Sequence, residues 1–147
     1  MQHFDYRFTV DAPVDAVASF HFQPDAFRKL TPPLTIVKMH RAEPPSDGSV
    51  TEFTMWIGPF PIYWKAVHSS VSPSGFTDTQ DAGPMKFWRH THRFAAITPA
   101  TTEVHEHIEY QHHDGWMGLR SRLLFSRPAL RALFAIRKFR TRRALRK

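Results

Sequence analysis

The chain of 147 residues contains no cysteine. Disulfide bonds, thiolate catalysis and zinc or iron–sulfur sites with cysteine ligands are therefore excluded. No apolar run reaches the roughly 20 residues that span a bilayer, and the N-terminus lacks the basic, apolar and small-residue zones of a secretory signal. We therefore expect a cytoplasmic protein, with peripheral attachment to a membrane as the alternative.

Acidic residues are missing from the last part of the chain. Residues 115–147 carry 11 Lys and Arg and no Asp or Glu, whereas residues 1–114 carry 9 basic and 13 acidic residues. The net charge of +7 therefore arises from the C-terminal segment. We expect no nucleic-acid partner, because the rest of the chain is acidic and shows no base-stacking motif. Residues 137–147 fit either contact with an anionic membrane surface or an ordinary solvated helix end.

Alternating and helical patterns predict an α+β fold in one domain, residues 1–147. Residues 3–10 alternate polar and apolar side chains with the two-residue period of a strand. Two short helical patterns follow, residues 11–22 with Asp11 as a cap and residues 24–30.

Six further strand patterns fill residues 35–110 and are separated by turn-forming residues. Their short connections imply an antiparallel sheet, because parallel strands need crossovers of a dozen or more residues. Residues 118–147 have helical composition, and we expect Pro128 to kink or split this basic helix.

Five segments of the chain resemble the SRPBCC superfamily of START-related and polyketide cyclase/dehydrase-like helix-grip proteins, in particular its bacterial ligand-binding branch. These segments are "FTVDAPVDAV", "LTPP", "FTDTQDAGPMKFWRHTHRF", "EHIEY" and "LFAIRKFR". The resemblance implies a curved seven-stranded antiparallel sheet wrapped around a long C-terminal helix, two short helices after strand 1, and an enclosed apolar cavity. It implies no catalytic residue, since the superfamily has no universal one.

The segment "WRHTHRF", residues 88–94, places two histidines on one face of a strand. Aromatic residues flank His90 and His92 on that face and arginines occupy the other, so we expect the histidines to point inward. The next strand has an apolar face that includes Glu106 as an exception. If both apolar faces coincide and Phe94 pairs with the start of that strand, His92 lies opposite Glu106.

Three interpretations of this histidine pair are open. A metal could bind both imidazoles and the carboxylate, but no further inward acid has a clear position, so we expect no metal. His92 and Glu106 could instead form a general acid/base couple. The third interpretation is a set of hydrogen-bonding groups within an apolar pocket.

We predict that the chain binds a hydrophobic or amphipathic small molecule, such as a lipid, a quinone or a polyketide-like compound, in an internal cavity without a cofactor. The predicted ligand-binding residues are Phe53, Met55, Trp64, Trp88, His90, His92, Phe94, Glu106, Ile108 and Tyr110. One alternative is a cofactor-free cyclase, aromatase or dehydratase that uses His92 and Glu106. Another is a lipid carrier that docks on membranes through residues 137–147.

His105 and His107 are expected on the outer face of the sheet, in a stripe with two glutamates. Such a stripe could capture zinc, but a solvated strand face is the more ordinary interpretation.

Overall fold

The computed structural model describes residues 1–146, and Lys147, the last residue of the predicted terminal helix and tail, lies outside them. The strands are β1 (Gln2–Val10), β2 (Ile36–Ala42), β3 (Val50–Ile57), β4 (Phe60–Ser72), β5 (Gly75–Ala82), β6 (Phe87–Thr98) and β7 (Thr101–Gln111). The helices are α1 (Val14–His21), α2 (Ala26–Leu30), α3 (Leu119–Leu124) and α4 (Arg127–Ala144), and a single 3₁₀ turn (Gly115–Gly118) precedes α3.

Within residues 1–146, seven antiparallel strands form one sheet in the order β1-β7-β6-β5-β4-β3-β2. Each strand from β2 to β6 pairs with the strand that follows it in the chain. Strand β1 pairs with β7 and forms one edge of the sheet. The predicted antiparallel sheet and the two short helices after β1 are confirmed. Alternation in β1 is also as predicted, since Phe4, Phe8 and Val10 are buried.

The structure differs from the prediction in the cap of α1 and in the position of the break before α4. The side chain of Asp11 does not cap α1, which begins at Val14 directly after Pro13. The predicted split of the terminal helix is confirmed, and the break lies at Phe125 and Ser126. Pro128 occupies the first turn of α4, where a missing N–H costs nothing. The Ser126 hydroxyl caps this helix by accepting a hydrogen bond from the Ala129 amide at 3.4 Å.

Helix α4 covers one side of the concave sheet face. Its buried Phe134 ring lies 5.7 Å from the ring of Phe4 and 6.0 Å from that of Tyr6, both in β1. Helix α4 also contacts α2. Because the helix leans toward β1, the inward side chains of β3, β4 and β5 are left facing a space rather than the helix surface.

A second apolar cluster closes the other end of the sheet under α1. Val17 and Ala18 of α1 pack with Phe94 and Val104 from the β6–β7 pair. This cluster fixes α1 against the sheet and brings His21, its last residue, toward the concave face.

No helix among residues 1–146 is both long and apolar enough to cross a membrane.

Gly75 begins β5 at a point where the backbone approaches β6 closely. Its φ is +145°, and a Cβ added there would lie 1.9 Å from the His92 carbonyl oxygen. We predict that Gly75→Ala lowers the free energy of unfolding by about 2 kcal/mol or more, because the backbone of the histidine strand must move. Urea denaturation followed by circular dichroism measures the change.

Gly58→Ala is the matched control for this substitution. Gly58 also has a positive φ, +58°, but a Cβ there meets nothing within 4 Å. Gly58→Ala should lower the free energy of unfolding by about 1 kcal/mol, the ordinary cost of the left-handed conformation. Equal losses for both variants would contradict the close approach at Gly75.

Candidate functional site

The space between the concave sheet face, α2 and α4 is a cavity of about 430 Å³. Its sheet wall carries large apolar side chains, and Phe27 and Leu30 of α2 and Leu133 and Phe134 of α4 form the opposite wall. The volume lies within the range of ordinary small-molecule sites. Polar side chains also line the cavity, and three of them, Asp78, His90 and His92, form a group on β5 and β6.

The structure brings six of the ten predicted ligand-binding residues to the cavity surface. These are Phe53, Met55, Trp64, Trp88, His90 and His92. The rings of Trp64 and Trp88 meet edge to face with centroids 5.3 Å apart, so the apolar wall is a packed aromatic surface.

The other four predicted residues are buried beside the cavity rather than on its surface. Ile108 and Tyr110 of β7 pack in the core cluster that contains Phe134, because α4 covers this side of the sheet directly. Phe94 packs on the ring of His21 at 4.7 Å, under α1. Glu106 is 3% exposed and lies behind the two histidines.

The histidine pair belongs to a network with two carboxylates. The register places His92 opposite Glu106, as predicted, and His90 opposite Asp78. His90 Nε2 donates to Glu106 Oε2 at 2.7 Å, and His92 Nε2 donates to Asp78 Oδ2 at 3.0 Å. Each imidazole therefore donates to a carboxylate on a neighbouring strand.

His92 also contacts the second carboxylate. Its Nδ1 lies 2.8 Å from Glu106 Oε2, but the N–H direction is unsuitable for a hydrogen bond. The contact is therefore one of opposite charges rather than a directed bond. The imidazole of His92 is held between Asp78 and Glu106.

These contacts determine the charge of His92. Burial alone would lower its pKa, but the charge of Glu106 and the hydrogen bond to Asp78 outweigh burial and raise the pKa to about 9. Burial opposes ionisation of Glu106 as well, yet the charge of His92 and the hydrogen bond from His90 hold its pKa well below the usual range. At neutral pH, His92 is thus an imidazolium facing ionised Glu106.

His90 has the opposite electrostatic preference. Burial and the positive charge of His92 lower the pKa of His90, despite the hydrogen bond to Glu106. The ring centroids of the two histidines are only 3.9 Å apart, so a second positive charge there would be repelled. For Asp78, burial raises the pKa, but the hydrogen bond from His92 leaves it lowered overall.

His21 adds a neutral imidazole to the same cavity. Its Nδ1 donates to the Val17 carbonyl oxygen at 2.8 Å, which leaves Nε2 with a free lone pair in the neutral ring. Burial lowers the pKa of His21 to about 4. The ring centroids of His21 and His92 are 6.4 Å apart. His21 and His90 thus place two neutral imidazoles in the same cavity as the charged His92.

Asp78, His21 and Arg137 line the cavity but were not among the predicted site residues. A sequence signal existed for two of them. Asp78 shares its strand face with buried Phe76, and Arg137 continues the helical spacing of Leu130 and Phe134. His21 has no such signal, since only the packing of α1 brings its ring to the cavity.

The outer-face histidines are less solvated than expected. Asp5 Oδ1 accepts hydrogen bonds from His105 Nε2 at 2.7 Å and from His107 Nδ1 at 2.8 Å. His105 is only 7% exposed. The expectation of an ordinary solvated stripe is wrong for His105, because the carboxylate of β1 covers it.

Comparison with solved structures identifies the fold. The chain is similar to the Zhui aromatase/cyclase from Streptomyces sp. R1128, with 16% identity, 97% of this chain and 95% of that chain covered and a TM-score of 0.71. The predicted helix-grip fold is confirmed. Protein-family models and curated proteins give no match to the chain.

Two further helix-grip structures are similar over almost the whole chain. A Chromobacterium violaceum protein has 11% identity, with 97% of this chain and 96% of that chain covered and a TM-score of 0.76. Ara h 8.0201 has 10% identity, with 95% of this chain and 97% of that chain covered and a TM-score of 0.65.

The different charges of His21 and His92 can be measured. We predict that His92 stays protonated at neutral pH and loses its proton only as the pH rises through about 9. His21 should stay neutral and gain a proton only as the pH falls through about 4. Side-chain nitrogen and carbon chemical shifts in a pH series report both transitions, and the variants His92→Gln and His21→Gln assign the signals. A neutral His92 at pH 7 would contradict the proposed ion pairs.

Proposed function

We propose that the chain binds a hydrophobic or amphipathic small molecule, such as a lipid, a quinone or a polyketide-like compound, in the cavity between the sheet and α4. The observation that carries the proposal is a cavity of about 430 Å³ that is lined by aromatic side chains and by polar groups, among them His90 and His92. Apolar cavities with a few convergent polar groups are the usual form of small-molecule sites.

The two parts of the wall have separate roles in this proposal. Phe53, Met55, Trp64 and Trp88 remove the apolar part of the ligand from water, which contributes roughly 25 cal/mol per Å² of apolar surface buried. His90 and His92 orient a polar group of the ligand, with Asp78 and Glu106 fixing the positions and protonation of the two rings. Asp78 and Glu106 face the positive charges of His92 and Arg137, which offset the charges of these two carboxylates.

Filling the cavity tests the proposal. Ala66 is buried on β4 and points into the cavity. We predict that wild-type protein binds the neutral probe N-phenylnaphthylamine with increased probe fluorescence. Ala66→Phe should weaken this binding by about tenfold or more, because the new ring occupies the ligand volume.

Ala95→Phe is the matched control, because Ala95 is exposed on β6. This control should leave the probe affinity unchanged. Circular dichroism verifies that both variants are folded. Equal probe affinity for wild type and folded Ala66→Phe would contradict binding in the cavity.

A cofactor-free cyclase or dehydratase is the second candidate function. The supporting observation is that protonated His92 and neutral His21 line the same cavity with their pKa values pushed in opposite directions. At neutral pH such a pair is in the protonation states that a proton donor and a proton acceptor require. In this proposal His92 is the general acid through the Nε2 proton that it otherwise donates to Asp78, Glu106 keeps the ring protonated, and Nε2 of His21 is the base.

Two similar structures agree with this second candidate. The Zhui protein and the di-domain protein BexL, from the BE-7585A biosynthetic pathway, are both described as aromatase/cyclase proteins. This chain is 18% identical to BexL, with a TM-score of 0.70 over 95% of this chain and 46% of that chain. The fold therefore accompanies cyclase function in other chains.

Native mass spectrometry of co-purified ligand separates ligand binding from dehydration. A binding protein should carry the same molecule in wild type and in His92→Gln. A dehydratase should carry product in wild type and accumulate substrate in His92→Gln, heavier by the mass of one water. Identical ligand masses in both proteins would contradict dehydration.

The lipid-carrier alternative through residues 137–147 has less support. Arg140 donates to the Lys29 carbonyl oxygen at 3.0 Å, and Arg142 donates to the Thr9 carbonyl oxygen at 2.8 Å. Both side chains attach α4 to its own protein, so fewer cations of this segment are available to lipid headgroups. Membrane docking through the tail stays a prediction.

A further inference from the structure

Arg137 places a guanidinium in the cavity wall opposite the sheet. Its Cζ lies 5.2 Å from the ring centroid of Phe134 and 5.8 Å from that of Phe27. Two aromatic rings thus hold the planar group, which reduces the freedom that it would lose on binding a ligand. The side chain is positioned before any ligand arrives.

The guanidinium lacks a full set of hydrogen-bond partners. Within residues 1–146, Arg137 Nε is buried and makes no hydrogen bond. Asp78 and Glu106 act on it through space, and one oxygen of each, Oδ2 and Oε2, accepts a hydrogen bond from His92 and His90 respectively. Burial lowers the pKa of Arg137, although the side chain as a whole is only partly buried.

Three other arginines of α4 donate hydrogen bonds to backbone oxygens of the protein. Arg127 donates to the His3 carbonyl oxygen at 3.1 Å, and Arg140 and Arg142 donate to backbone oxygens of α2 and β1. These three side chains explain how α4 is fixed to the rest of the fold. Arg137 has no such contact through Nε, although its position on α4 directs it into the cavity.

We propose that Arg137 is an anion-binding subsite of the cavity and that the ligand is a hydrophobic organic acid. The inference rests on the proposed ligand binding and adds the chemical class of the ligand. A guanidinium matches the two oxygens of a carboxylate with parallel N–H donors, and such charged hydrogen bonds are stronger in an apolar site. The carboxylate satisfies the guanidinium, and the apolar part of the ligand lies against the aromatic wall.

His92 is a weaker candidate for the same role, although it is also positively charged. Asp78 and Glu106 both lie within 3.0 Å of its ring nitrogens. A ligand anion placed there would meet two negative charges at short range. The geometry therefore favours Arg137 as the anion partner, and leaves His92 to a neutral polar group of the ligand.

Two probes with the same aromatic skeleton test this inference. Anilinonaphthalene sulfonate carries an anionic group, and N-phenylnaphthylamine lacks it. We expect Arg137→Gln to weaken binding of the sulfonate by about tenfold or more and to leave the neutral probe within about twofold, since charged hydrogen bonds are lost. Arg137→Lys keeps the charge without the planar donor pair. Its affinity for the sulfonate should lie between the affinities of wild type and Arg137→Gln.

Arg131→Gln is the matched control, because it removes the same charge from an exposed position of the same helix. It should leave both probe affinities unchanged. An equal effect of Arg137→Gln and Arg131→Gln on the sulfonate would overturn the subsite, because only the general charge of α4 would matter. An equal loss of both probes in Arg137→Gln would overturn it too.

A measurement on wild type alone covers the case in which the Arg137 variants do not fold. Dodecanoate should displace N-phenylnaphthylamine at a concentration about tenfold lower than dodecanol does. Equal displacement would overturn the anion subsite while leaving the hydrophobic site in place. Failure of wild type to bind the neutral probe at all would instead overturn the proposed ligand binding.

Discussion

The antiparallel pairing of β5, β6 and β7 brings two carboxylates against two imidazoles inside an apolar fold. Asp78, His90, His92 and Glu106 occupy inward positions of three adjacent strands because side chains alternate between the two faces of a sheet. Buried charges of one sign would be very unfavourable here. Protonated His92 lies between the two carboxylates, and its positive charge stabilises both ionised acids.

The cavity exists because α4 covers the sheet unevenly. Phe134 of α4 packs toward β1, and the inward side chains of β7 are buried beneath that contact. The opposite half of the concave face carries aromatic side chains of β3 and β4 that line the cavity, and Phe27 of α2 stacks on Phe53 there with ring centroids 4.2 Å apart. A strongly curved sheet and one straight helix cannot fill the space between them, so the same packing that stabilises the fold leaves a place for a small molecule.

Much of this arrangement follows from local patterns in the sequence. The alternation in residues 88–94 and 103–110 predicts the inward histidines, and the requirement that apolar faces coincide predicts His92 opposite Glu106. Alternation also groups Phe53 with Met55, and Trp64 with Ala66, on single strand faces. It does not say which of these faces is inward, and the resemblance to helix-grip proteins supplied the expectation that they line a cavity.

The remaining features depend on packing between distant segments. Which inward side chains meet the cavity depends on where α4 lies across the sheet. Sequence alone therefore could not show that Trp88 lines the cavity while Ile108 and Tyr110 are buried in the core. The break before α4 and the approach of α1 determine the positions of Arg137 and His21. Charges depend on packing as well, because neighbours and burial set the pKa of a histidine.

Nuclear Overhauser effects between protein protons and bound N-phenylnaphthylamine test the central claim, that a guest molecule occupies the space between sheet and helix. The account predicts contacts from the probe to the rings of Phe53, Trp88 and Phe134 on opposite walls of the cavity. Contacts confined to exposed apolar side chains, such as Trp116 and Leu123, would contradict it.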